Sequence, residues 1–113
     1  MEPNFVLVPT PDPLALLWTT FPELRSLLDD GDFGPYYTYG RLAEHLLSNP
    51  NDELLWRRAY GFFELLAADG GSLSELLVVG TLESLADDDT LEQKVRNNVG
   101  PVTLRLLDGM KAS

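Results

Sequence analysis

Apolar residues recur at helical spacing along most of the chain, and the clearest case is the stretch from Glu53 to Leu85. Two amphipathic runs, LWRRAYGFFELLA and SELLVVGTLESLA, are joined there by the glycine-containing segment Ala68–Ser72. In the first run the apolar positions share one helical face and charged residues fall between them. These positions predict a helical hairpin with a buried stripe made of Leu54, Leu55, Ala59, Phe62, Phe63 and Leu66.

Helix start signals divide the rest of the chain. Asp12 followed by Pro13 has the form of a helix start, and Asn51 or Asp52 is placed to cap the helix that follows Pro50. Three further starts have the form of a capping box, in which a hydroxyl and a glutamate or glutamine satisfy free backbone amides. The three boxes are Thr20–Glu23, Ser72–Glu75 and Thr90–Gln93.

Helix stop signals complete the division. Glycine or proline breaks follow the other apolar runs, and Asp87–Thr90 follows the run that ends at Leu85. Strands with period-two alternation are not evident after residue 10. The three prolines among residues 1–11 favour an extended N-terminal arm. We therefore expect an all-α, single-domain irregular bundle of six or seven short helices over residues 12–113, with HEAT-like antiparallel helix pairs as one form of it.

The run that contains Gly80 is unusually apolar, which predicts the most buried helix of the domain. Leu76, Leu77, Val78 and Val79 leave little room for an exposed face. A glycine inside a helix costs about 1 kcal/mol relative to alanine. Close approach of a neighbouring helix is the compensation that we expect at Gly80.

The net charge of the chain limits the classes of partner that it is expected to bind. The 113 residues include 18 acidic and 8 basic side chains, and the formal net charge is −10. This field repels nucleic-acid phosphates and anionic membranes and attracts basic proteins. Solubility alone is the alternative interpretation of the same charge. No apolar stretch reaches the roughly 20 residues of a membrane helix, and no secretory signal is evident, so we expect a cytoplasmic protein.

The sequence lacks the residues that catalysis or metal binding would be expected to use. The chain has no cysteine, and its only histidine, His45, stands beside Glu44 on a helix, where adjacent side chains point in different directions. The Asp87–Asp89 run lacks the ligand spacing of a calcium loop and fits helix capping instead. We therefore expect a protein without enzymatic activity, metal or cofactor. An enzyme or a small-molecule binder with a pocket between helices stays open as an alternative.

Three tyrosines lie within four helical positions. Tyr36, Tyr37 and Tyr39 cannot all face one core, so at least one of them, Tyr37 in the first place, is expected at the surface. An exposed tyrosine among carboxylates forms a patch suited to a basic protein. Alternatively, two of the tyrosines pack and the third is incidental. The carboxylates near the tyrosines in sequence are Asp29, Asp30 and Asp32.

Three segments resemble a known family. Leu55–Arg58, Leu77–Glu83 and Val99–Pro101 are similar to segments of small bacterial helical proteins that occur near polymorphic toxins and are regarded as immunity proteins. The resemblance covers residues 21–110. It implies a non-enzymatic protein that neutralises a toxin by binding it.

Charge, composition and resemblance lead to one functional expectation. We expect an immunity-like or antitoxin-like protein, monomeric or homodimeric, that binds a basic toxin domain through an acidic surface with exposed tyrosine. The alternative is a helical scaffold or regulatory module that self-associates or docks an intracellular partner through an apolar face. The residues expected to bind the toxin are Asp29, Asp30, Asp32, Tyr36, Tyr37, Asp87, Asp88 and Asp89.

Overall fold

The structure is a computed structural model, and it describes residues 12–27 and 34–112. These two ranges contain seven helices and no strand. The all-α, single-domain bundle is thus confirmed, whereas the predicted arm lies outside the described residues. The fifth helix, α5, runs without a break from Ser72–Leu77 through a π-helical turn at Val78–Leu82 to Glu83–Leu85. The others are α1 (Pro13–Thr20), α2 (Pro22–Leu27), α3 (Gly34–Leu47), α4 (Glu53–Asp69), α6 (Asp89–Asn98) and α7 (Pro101–Ala112).

One hydrophobic core receives buried side chains from all seven helices. Its aromatic centre is Phe62, whose ring meets Phe21 edge-on at 5.4 Å between centroids and stacks with Tyr39 at 6.0 Å. Such aromatic pairs contribute about 0.5–1.5 kcal/mol beyond the area they bury. The predicted hairpin of α4 and α5 forms around this core, and Gly70 ends α4 in the left-handed conformation with φ of 70°.

The stripe predicted on α4 is buried except at Leu54. That side chain is 74% exposed, so the prediction was wrong at this position. Leu54 and Leu55 are adjacent and therefore point about 100° apart around the helix. Leu54 instead shares the outer face of α4 with Leu65, three turns further along, which is 58% exposed.

Carboxylates start several helices. Asp12 and Asp52 accept from the amides of Leu14 and Leu55, both at 3.1 Å, which confirms the predicted starts of α1 and α4. Asp88 caps α6 by accepting from the Thr90 amide at 3.3 Å. That helix begins at Asp89, so the box predicted over Thr90–Gln93 is wrong in register, because the preceding carboxylate reaches the free amide first.

The other two predicted capping boxes are also replaced. The Thr20 hydroxyl donates back to the Leu16 carbonyl at 3.0 Å, and among the described residues it accepts from no amide of α2. At α5, the Asp69 carboxylate from the end of α4 accepts from the Gly71 amide at 3.1 Å, and Ser72 makes no capping bond. In both places a short-range alternative within the preceding helix outcompetes the box.

Glu64 lies on the polar side of α4 and caps α7, although the two are far apart in the sequence. Its two carboxylate oxygens accept from the amides of Val102 and Thr103, each at 3.0 Å, and from the Thr103 hydroxyl at 2.8 Å. Burial alone would raise the pKa of Glu64, but these bonds outweigh it and hold the pKa below its ordinary value. The Glu64 side chain therefore fixes α7 against α4.

Glutamate precedes arginine by four residues at Glu53 and Arg57 and again at Glu92 and Arg96, a spacing that predicts an ion pair along each helix. Arg96 pairs with Glu92 at 3.0 Å, as predicted. Arg96 also pairs with Asp108 at 2.7 Å, and this second ion pair links α6 to α7. The predicted pair of Glu53 and Arg57 is wrong, since no ion pair joins them in the part of the chain that the structure describes.

Candidate protein-binding surface at the α3–α5 crossing

Helix α5 crosses α3 at Gly80 with almost no space between the backbones. A Cβ atom placed on Gly80 would lie 2.7 Å from the Tyr39 Cβ, closer than such atoms approach in folded proteins. On the other helix, a Cβ on Gly40 would lie 3.6 Å from the Gly80 carbonyl oxygen. The close helix approach predicted at Gly80 is confirmed, and its neighbour is α3.

A π-helical turn shapes α5 at this crossing. The Glu83 amide donates to the Val78 carbonyl five residues back, which is the hydrogen bond of a π turn. The hydroxyl of Thr81, fully buried in this turn, donates to the Tyr39 carbonyl at 2.8 Å. This bond joins the two helices at their closest point.

Tyr39 connects the crossing to α1 as well. Its hydroxyl donates to the Pro13 carbonyl at 2.8 Å, and its side chain is fully buried. Burial in the first place, and the nearby charge of Asp12 in the second, raise the pKa of this phenol. Tyr39 therefore remains a neutral hydrogen-bond donor over the physiological range and holds three helices in one arrangement.

The solvent side of the crossing carries apolar side chains. Tyr36 is 50% exposed and Val79 is 47% exposed. They belong to one region because the Tyr36 carbonyl oxygen is 3.6 Å from the Cβ position of Gly80, the residue after Val79. Large side chains exposed next to a rigid backbone contact are candidates for a protein interface.

Carboxylates flank these side chains. Glu75 and Glu83 are exposed one helical turn before and after Val79 on α5. We define the crossing surface as Tyr36, Tyr37, Glu75, Val79 and Glu83. It combines an aromatic and aliphatic centre with an acidic border.

The structure brings together only part of the predicted binding set. Tyr36 and Tyr37, which is 47% exposed, lie in the first turn of α3 beside the crossing, so the expectation that a tyrosine reaches the surface is confirmed. Asp87, Asp88 and Asp89 are exposed where α5 passes into α6, beyond the last turn of α5. Outside the described residues lie the three remaining members of the set, Asp29, Asp30 and Asp32.

Val79 is the surface residue that sequence reasoning missed. The apolar run predicted that this part of α5 has little exposed face, and Val79 contradicts that prediction. The reason is the crossing itself, because α3 packs against Gly80 and Thr81 and thereby turns Val79 outward. Gly80 was the available signal for the crossing, but a glycine does not indicate which of its neighbours is left uncovered.

A second polar cluster joins α2, α3 and α4. Glu23 accepts two bonds from Arg58, at 3.2 and 3.0 Å, and lies 3.3 Å from Nε2 of His45. Burial would raise the pKa of Glu23, but the hydrogen bonds to its carboxylate outweigh burial and lower it. The Arg58 guanidinium also lies 5.0 Å from the centre of the Phe21 ring. These contacts tie α2 to α3 and α4.

Further features bear on the class of protein. No cluster of three or more potential metal-ligating side chains occurs among the residues that the structure describes. Within the same residues, no helix is both long and apolar enough to cross a membrane. Comparison of the chain with protein-family models, curated proteins and solved structures finds no match. The resemblance to immunity proteins and the HEAT-like pairing therefore stay predictions.

Proposed function

We propose that this chain is a non-enzymatic, cytoplasmic binding protein of the immunity or antitoxin kind. It binds a basic toxin domain through the crossing surface and neutralises it by occupying the surface the toxin needs. The observation that carries the proposal is the exposure of Tyr36 and Val79 between two carboxylates at a fixed helix crossing.

Charge supports a basic partner. The net charge of −10 attracts a cationic protein over the Debye length and raises its association rate. At contact, Glu75 and Glu83 are placed to meet lysine or arginine side chains around the apolar centre. The charges then determine how fast the two proteins meet and in which orientation, while desolvation of Tyr36 and Val79 supplies affinity.

The rigidity of the crossing supports a binding role for the residues on it. Thr81 and Tyr39 lock α3 to α5 through a buried hydrogen bond, so little conformational freedom remains in the backbone that presents Tyr36 and Val79. A preorganised surface loses less entropy when its partner binds.

Site-specific crosslinking in the native cell tests the proposal. A photoreactive amino acid replaces Tyr36 or Val79 in one pair of variants, and Leu65 on the outer face of α4 in a matched control. We expect a crosslink to one basic protein from positions 36 and 79 and none from position 65. The same crosslink from position 65, or an acidic product at 36 and 79, would contradict the proposal.

The second candidate function is a self-associating scaffold. The specific observation in its favour is the outer face of α4, where Leu54 and Leu65 are more exposed than Tyr36, Tyr37 or Val79. Gly61 lies between them, and apart from the adjoining backbone of α4 no atom of the described residues lies within 4 Å of the position its Cβ would take. A second helix can therefore approach closely there. A dimer that persists at high salt and is dissociated by Leu65→Glu would favour this function over the first.

A further inference from the structure

A cavity of about 470 Å³ opens between α4 and α6, and none of the residues that line it belongs to the crossing surface. The turn after α3 closes one side of it through Pro50. This volume is large enough for a small organic molecule. Its other walls are Glu53, Trp56, Arg57, Tyr60, Lys94 and Asn98.

Lys94 is fixed at the edge of this cavity. Its ammonium nitrogen lies 4.1 Å from the centre of the Trp56 ring and donates to the Pro50 carbonyl at 2.9 Å. The cation–π contact and this single bond hold the charge in place. An ammonium group has three donors, so two donors of Lys94 remain for a ligand.

Arg57 brings a second cation to the same cavity. Elsewhere in the described residues, Arg41, Arg58 and Arg96 each pair with a carboxylate. Within those same residues, neither Arg57 nor Lys94 forms an ion pair. In a chain with net charge −10, two cations without carboxylate partners and one carboxylate, Glu53, give this cavity a positive balance.

Tyr60 adds a polar group whose bonding is incomplete. Its hydroxyl is the one buried side-chain polar atom without a hydrogen-bond partner in the part of the chain that is described. Burial raises the pKa of this phenol, so it stays protonated and retains a donor. An unsatisfied buried donor is costly, and an acceptor at this wall would remove the cost.

We propose that this cavity binds a small organic oxyanion, a carboxylate or a phosphate monoester with a compact apolar body. Lys94 and Arg57 bind the oxygens, Tyr60 donates a further hydrogen bond, and the aromatic walls contact the apolar body. The site lies between α4 and α6, so a ligand there leaves the crossing surface free.

NMR titration of the ¹⁵N-labelled full chain tests this site with three probes: benzoate, phenyl phosphate and inorganic phosphate. The reporter is the indole N–H of Trp56, which donates to the Asn49 carbonyl at 3.0 Å beside the cavity. We expect saturable shifts with benzoate or phenyl phosphate, and the stronger of the two identifies the oxyanion. Absence of saturable shifts with both, or binding of inorganic phosphate alone, would overturn the proposal.

Variants assign the binding to named groups. Lys94→Gln and Arg57→Gln are each expected to weaken binding of the probe about tenfold, which is the effect of losing one charged hydrogen bond. Lys94→Arg keeps the charge and should retain binding, which separates the ligand contact from loss of the packing on Trp56. Arg41→Gln on α3 removes the same charge elsewhere, and an equal loss of affinity in this control would overturn the assignment.

Discussion

Gly80 and Tyr39 stand so close that no side chain larger than hydrogen fits at position 80. A Cβ there would meet the Tyr39 Cβ at 2.7 Å, and a Cβ cannot move aside by rotating. The geometry of the whole crossing surface thus depends on one glycine, which holds α3 and α5 at this distance.

Replacement of this glycine tests the contact. Gly80→Ala gains about 1 kcal/mol in helix propensity, but overpacking of a tight contact costs about 1–3 kcal/mol, so we expect net destabilisation. Gly61→Ala is the matched control, because its Cβ would enter open space and should stabilise α4. Urea unfolding measures both, and equal stabilisation by the two variants would contradict the close contact.

The buried bond between Thr81 and Tyr39 is expected to contribute to stability. Thr81→Val removes the hydroxyl that donates to the Tyr39 carbonyl and should lower the free energy of unfolding by about 1 kcal/mol. Thr81→Ser keeps the donor but loses a methyl group, so it separates the hydrogen bond from packing. If Thr81→Val is as stable as the wild type in urea unfolding, the bond contributes nothing measurable.

The cap that Glu64 makes on α7 predicts a pH dependence. The folded-state pKa of Glu64 is lowered, so its contribution is complete above the ordinary pKa of about 4.5 and is lost as pH falls through the lower folded value. Glu64→Gln should reduce stability at neutral pH by about 1 kcal/mol and make the acid dependence shallower. Thermal unfolding from pH 7 to pH 3 checks this, and parallel curves for the two proteins would disprove the cap.

Two buried tyrosines should respond in opposite ways to loss of their hydroxyls. Tyr60→Phe removes a buried group without a partner and should raise the free energy of unfolding by up to about 1 kcal/mol. Tyr39→Phe removes the donor to the Pro13 carbonyl and should lower it by a similar amount. Urea denaturation of both variants measures the difference, and a shift of the same sign in both would contradict the assigned bonding.

Helical periodicity and break residues predicted the class, the hairpin and the close contact at Gly80, because each of these depends on local spacing. That pattern does not predict contacts between residues that are far apart in the sequence. Glu64 reads as a solvated position on α4, yet its partners are Val102 and Thr103, some forty residues later. The same limit explains Leu54, since a helical stripe shows which side chains share a face but not how far the neighbouring helix covers it.

The candidate sites depended even more on tertiary placement. The tyrosines could be expected at the surface from their density in sequence, but Val79 could not, because only the crossing turns it outward. The cavity beside Lys94 combines residues of α4 with residues of α6, and nothing in the sequence indicates that its two cations meet there. Spacing within one helix does not predict such a meeting of distant segments.

Binding of the basic protein captured at positions 36 and 79 is the most direct test of the proposed function. Isothermal titration calorimetry would compare the wild type with the double variant Tyr36→Ala, Val79→Ala and with the control Leu54→Ala, Leu65→Ala, at low and high salt. We expect the first double variant to bind at least about tenfold more weakly, the control to bind like the wild type, and the wild-type affinity to fall with salt. Unchanged binding by the first double variant would contradict the crossing surface as the site, and loss of binding by the control would place the site on the outer face of α4 instead.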